Sequence, residues 1–259
     1  MHVVEPLISN MDVSKAKVDQ AELESYKFEK LPLEKVVLAC VFEVPQPHDA
    51  KTLLSVFEEF ERRGFELFSL EAGYNRNLVP LISGGGRGLV MIDHAKSMQA
   101  EMREDALVLQ YFSTGTSKYE GYLSLLDHFK ALSGFNTGKI KIAEIQYEVK
   151  TDHEIPKQNP WNWISDEYIP KRVSGDEPTA ALTLQFDITD SFQWTANIIS
   201  QRTSDTSGSM TIQTVGKGIT ASNDHAIDTL GRVHDGMRSE FLNLITDAAR
   251  SDWGYTCQK

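Results

Sequence analysis

The sequence predicts an α+β fold: two similar halves of antiparallel sheet, each with long helices packed across it. Three observations carry that prediction. Short apolar or strictly alternating runs recur along the chain between turn residues, the pattern of antiparallel strands. Amphipathic runs with steps of three and four residues interrupt them. The order strand, helix, several strands, helix in residues 29–136 is largely repeated in 137–259, which leaves 1–28 as a loosely held arm.

In the first half, "KVVLACVFEV" is a nearly continuous apolar run from Val36 to Val44, which predicts a strand buried on both faces. Asp49 is an N-cap candidate for "AKTLLSVFEEFERR", where Leu53, Phe57 and Phe60 share one face, and Gly64 supplies the positive φ that ends the helix. In "ELFSLEAGYN", Phe68, Leu70, Ala72 and Tyr74 alternate with polar positions and predict a half-buried strand. "GRGLVMID" reads as the next. In "SMQAEMRED", Met98, Ala100 and Met102 alternate with Gln99, Glu101 and Arg103, and "LVLQYF" follows. A second helix runs through Tyr122, Leu125, Leu126, Phe129 and Leu132 to Gly134.

The second half opens on "KIKIAEIQYEV". A long irregular segment, 151–178, then stands where the first half has its first helix. "ALTLQFDIT", "FQWTANIIS" and "GSMTIQTV" complete the strands. Ile227, Leu230, Met237, Phe241, Leu244 and Ala248 form one stripe, predicting a single last helix of about seven turns. The architecture expected is a pseudo-duplication like helix-grip proteins or the TATA-box-binding protein.

Composition narrows the function. The 259 residues carry a net charge of −11 and no Lys/Arg-rich run, which argues against nucleic acid and suits a basic partner or plain solubility. Two cysteines, Cys40 and Cys257, make neither a disulfide framework nor a metal pattern. No apolar run approaches the ~18–20 residues that span a bilayer, and no basic start precedes an apolar segment. The expected location is the cytoplasm.

Three segments together resemble a sporadically distributed bacterial family of uncharacterised proteins. "LPLEKVVLACVFEV" is similar to its Pro-Leu-x-Glu-Val-Val opening. "LVLQYFSTGTSKYEGYLSLLDHF" is similar to its strand followed by a Tyr-rich helix start. "RVHDGMRSEFLNLITDAARSDWG" is similar to its closing signature, here His234, Asp235, Phe241, Leu244 to Thr246, and Trp253–Gly254. The resemblance covers roughly residues 31 to 254 and departs at "IAEIQYEVKTD", where the family has an Arg-Tyr-Ile-Asn-like strand. It implies no catalytic residues. The family's patchy distribution implies a bacterial defence, toxin–antitoxin-like or mobile-element setting.

Catalytic and cofactor motifs do not emerge from the residues. The cluster Gly84–Gly86 and Gly88 around Arg87 lacks the Lys-Ser/Thr of a P-loop, and a strand follows it where a dinucleotide site needs a helix start. It is expected to be a connection without nucleotide. Asp93 and His94 are adjacent on a strand and point apart. His234 lies in the apolar stripe and is expected to be a core histidine bonded to a carbonyl or carboxylate, with Asp235 about 100° round the helix. Cys40 is mid-strand, where burial opposes the thiolate. No catalytic, cofactor or metal residue is therefore assigned.

The richest segment is "DHEIPKQNPWNWISDEYIPKRVSGDEP". Trp161, Trp163 and Tyr168 are either a plug for the open end of the second sheet or anchors for a partner. The expected function is a non-enzymatic, partner-binding protein using these three residues. The alternative is a small-molecule sensor or enzyme with a cavity between sheet and last helix. A ligand site needs convergent polar groups in an apolar pocket, whereas a scaffold is filled.

Overall fold

A computed structural model describes residues 8–10, 26–28, 32–69, 88–113, 119, 121–136, 138–153, 161–169, 179–189, 192–202, 208–220 and 225–257. The fold is α+β. The chain separates into two compact units, the first comprising Met1–Glu34, Tyr147–Gly216 and His234–Lys259, the second Lys35–Gln146 and Lys217–Val233. A single cut between 136 and 137 therefore does not describe them, because Lys217–Val233 belongs with residues of the first half.

The second unit begins with β3 (Leu33–Phe42), after the short strands β1 (Ile8–Asn10) and β2 (Tyr26–Phe28). Val36 to Cys40 are all buried, as an apolar run without alternation requires, and burial pushes the Cys40 thiol up to about 12. Helix α1 (Ala50–Arg62) starts where expected: the Thr52 N–H donates to Asp49 Oδ1 at 2.7 Å. Its inward face is Val56 and Phe60, with Leu53 and Phe57 half-buried, and Gly64 ends it at φ 93°.

Strand β4 (Glu66–Ser69) presents Phe68 outward at 65% exposure, against the inward position its alternation predicts. A register shift between Leu67 and Ser69, where β4 pairs with β5, disrupts the simple alternation there. Strands β5 (Gly88–Asp93), β6 (Met98–Arg103) and β7 (Ala106–Phe112) follow, then α2 (Tyr122–Ser133), which buries Leu125, Leu126, Phe129 and Leu132. With β8 (Ile140–His153), which belongs to this unit as far as Gln146, the strand order here is β8-β3-β7-β6-β5-β4. Burial in β6 is not confined to its apolar side, since Glu101 is 9% exposed. Of the glycine cluster, only Gly88 falls among the described residues, as the buried first residue of β5. Leu70, Ala72 and Tyr74 also lie outside them.

The first unit contains β9 (Thr179–Thr189), β10 (Phe192–Arg202) and, up to Gly216, β11 (Gly208–Ile219), ordered β1-β9-β10-β11. Strand β11 alternates buried and half-buried residues along its length, the pattern of one covered face. Cross-strand pairs Trp194–Phe186, Ala196–Leu184 and Ile198–Leu182 line the inner side of β9 and β10.

The last helical stretch is not one helix. Helix α3 (Ala226–Leu244) stops, Ile245 and Thr246 leave helical geometry, and α4 (Asp247–Asp252) begins with the Thr246 hydroxyl accepting the Ala249 N–H at 3.3 Å. The stripe prediction fails beyond the break: Ala248 is exposed and Ala249 buried instead. A Cβ at Gly236 would sit 2.5 Å from the Phe192 ring, so a larger residue there would require that ring to move. Strand β12 (Tyr255–Cys257) pairs with β2. No described helix is long and apolar enough to cross a membrane.

Candidate functional site

The aromatic segment folds against the α3–α4 break within the first unit. The Ile164 N–H donates to the Trp161 carbonyl at 2.7 Å, closing a turn, and Asp166–Tyr168 forms one 3-10 turn. Three bonds then tie the segment to the break. The Ser165 N–H donates to the Leu244 carbonyl at 2.8 Å, the Thr246 N–H to the Trp163 carbonyl at 3.0 Å, and the Thr246 hydroxyl to the Asn162 carbonyl at 2.9 Å. Ile164 and Ile245 form an antiparallel bridge. The Leu244 carbonyl left over at the helix end thus finds a donor in the segment, and the Thr246 N–H finds an acceptor there, which is why the helix can stop inside the fold.

The three rings expected to reach a partner point inward. Trp161, Trp163 and Tyr168 are 2%, 6% and 3% exposed. Trp163 meets Trp253 edge to face at 5.5 Å, and Phe241 stacks on the other side of the cluster, 6.1 Å from Trp253 at 10°. Tyr168 meets Phe186 at 5.9 Å, and Phe186 meets Trp194 at 5.0 Å. Such offset and edge contacts add to the area these rings bury. The outward positions are Asn162, Asp166 and Glu167. Helix α4, tied to the segment through Thr246, exposes Asp247 and Asp252. Arg250 is engaged locally, donating to the Leu242 carbonyl at 2.6 Å beside Asp247 and Tyr255.

His234 lies on α3 beside β8, in the first unit. Its Nδ1 is 2.6 Å from the Tyr147 hydroxyl, so a phenol is one of its partners. Burial, with Arg238 adding to it, holds the imidazole down at about 3 and therefore neutral. A neutral ring with Nδ1 unprotonated accepts from the tyrosine O–H. Its sequence neighbour Asp235 is exposed.

In the second unit Asp93 is buried and accepts the Lys96 N–H at 3.0 Å, while His94 is exposed. Those adjacent residues do not work together. No group of three or more His, Cys, Asp or Glu among the described residues is arranged to hold a metal ion.

Three features escaped the sequence reading. Thr246 was named only within the closing signature, although Thr followed by Asp is a recognisable helix start. Tyr147 was one aromatic among strand residues. Glu144 and Gln146 are buried at 4% and 1%, although with Glu148 and Lys150 they form the polar register of an alternating stretch, which in sequence reads as a solvent face. Among known proteins, no family model matches the chain and no curated protein matches it.

Proposed function

We propose that the chain is a non-enzymatic partner-binding protein whose recognition surface is the outer side of the Trp161–Ile169 segment and α4. One observation carries the reading: around this segment the interior is filled by rings, where a ligand cavity would hold convergent polar groups around open space. Trp161, Trp163 and Tyr168 then act from within, fixing a backbone that presents Asn162, Asp166 and Glu167. The exposed carboxylates, and the net charge of −11, suit a basic protein face. Behind this surface we place the finer architecture, two related strand-and-helix halves of helix-grip or TATA-box-binding-protein type. It is supported by the matching element order, and the bacterial defence or toxin–antitoxin-like setting rests on the family resemblance alone.

The test is the double substitution Asp166→Lys with Glu167→Lys, scored by melting temperature and by capture of a native partner. Both carboxylates are on exposed positions, so the variant is expected to melt normally while capture falls. Unchanged capture by the folded variant removes the surface from consideration.

A further inference from the structure

A second polar set lies in the second unit, on β8 and the end of β11, and the partner surface makes no use of it. Glu144 and Gln146 are two residues apart on β8, so both side chains leave the same face. Lys217 and Ile219 share a face of β11 by the same rule. The Lys217 ammonium is 4.0 Å from Glu144 Oε2, which puts these two faces on one side.

Burial along this side is graded. Ile219 is 60% exposed, the Lys217 side chain 32%, Glu144 4% and Gln146 1%. Exposure therefore falls along the set from Lys217 to Gln146. Gln146, the most buried of the set, has no hydrogen-bond partner among the described residues on either its carboxamide oxygen or its nitrogen. Buried carboxamides are normally satisfied, so a donor and an acceptor left open together at this depth call for a complementary group. Desolvation pushes the Glu144 carboxyl up, with Lys217 opposing it, so the carboxylate gains from any further cation or N–H donor that reaches it.

We propose that Glu144, Gln146 and Lys217 form a binding site for a small α-amino acid bearing a terminal carboxamide. The ligand's carboxamide pairs with Gln146 through two reciprocal hydrogen bonds. Its ammonium lies against Glu144, and its carboxylate meets Lys217. Each charged partner is matched by the opposite charge, and the uncharged pair sits at the most buried residue, where desolvating an ion costs most. The inference stands apart from the partner surface, since it involves other residues in the other unit.

Calorimetry of the full chain with L-glutamine tests it. Saturable binding is expected, weakened about tenfold or more by Gln146→Leu or Glu144→Gln, as loss of a buried polar contact dictates. Gln146→Leu is also expected to melt about 2–4 °C higher without ligand, because it removes an unsatisfied amide. Lys217→Met is the variant least able to disturb folding and should weaken L-glutamine likewise. Absence of saturable heat up to about 10 mM overturns the site. So does binding that survives Lys217→Met and Gln146→Leu unchanged. A Gln146→Leu protein that melts lower shows the amide already paired within the fold and overturns the argument equally.

Discussion

Helix α1 and the Trp161–Ile169 segment occupy equivalent places in the chain, each following a long strand, β3 or β8. They are held in opposite ways. Helix α1 is largely self-sufficient: its N-cap Asp49 accepts from the Thr52 N–H three residues on, Arg63 reaches Glu59 one turn back, and two residues, Val56 and Phe60, are buried. The aromatic segment has almost no regular structure of its own and takes its bonds from residues about 80 positions later. Local chemistry builds the first; the α3–α4 break builds the second. A segment of this kind keeps its shape only while its distant partners stay in place, so damage at the break should reach the presented surface.

The largest effect that comparison predicts is at Trp163. Its ring is 6% exposed and packs edge-on to Trp253, so Trp163→Ala should cost ~3–5 kcal/mol in denaturant unfolding. On α1, Leu54 is 55% exposed, and Leu54→Ala should stay within about 0.5 kcal/mol. A Trp163→Ala loss below about 1 kcal/mol would mean the ring is not packed as a plug, and the contrast between the regions would collapse.

A pH dependence sharpens the contrast next, because His234 lies on the helix that receives the segment. Its folded value is depressed from 6.5 to about 3. Between those values the unfolded chain binds the proton and the folded chain does not, so acid favours unfolding. The histidine's contribution is fully present above pH 6.5 and is lost as pH falls toward 3, at up to about 1.4 kcal/mol per pH unit. Glu101 and Glu144 act with the opposite sign, since burial raises both and the folded state then holds protons longer. The difference between the chain and His234→Gln isolates the histidine. That difference should shrink steadily from pH 6 to pH 4; a flat difference would place the imidazole in contact with water.

Much of the fold was legible because its causes are local. Asp49, Gly64 and the strand run "GSMTIQTV" each act within a few residues, and each appears where the sequence predicts it. The site was legible only as a composition. Two tryptophans and a tyrosine between prolines marked the segment, but their inward direction is decided by Thr246, Trp253 and Phe186, which no local pattern connects to it. The broken last helix was missed for the same reason. An apolar stripe continues through Ile245 in sequence, and the stop appears only once Trp163 and Ser165 supply alternative partners for the backbone there.

The smallest and most discriminating effect is at the two caps. Asp49 and Thr246 both start a helix through a side-chain oxygen, at 2.7 Å and 3.3 Å from the N–H they receive. By that distance alone Asp49 is the better cap. Thr246 has a second role, because its hydroxyl also donates to the Asn162 carbonyl at 2.9 Å. Thr246→Ala therefore removes a cap and a tether together and should cost about 2 kcal/mol, while Thr246→Ser, which keeps the hydroxyl, should recover most of it. Asp49→Ala removes a cap on an exposed residue and should lower stability by less. Protease nicking or hydrogen exchange within residues 161–169 separates the two: it should rise in Thr246→Ala and stay unchanged in Asp49→Ala. Equal responses at both caps would show that the segment is held by ring packing alone, and that the backbone bonds to the helix break add nothing to it.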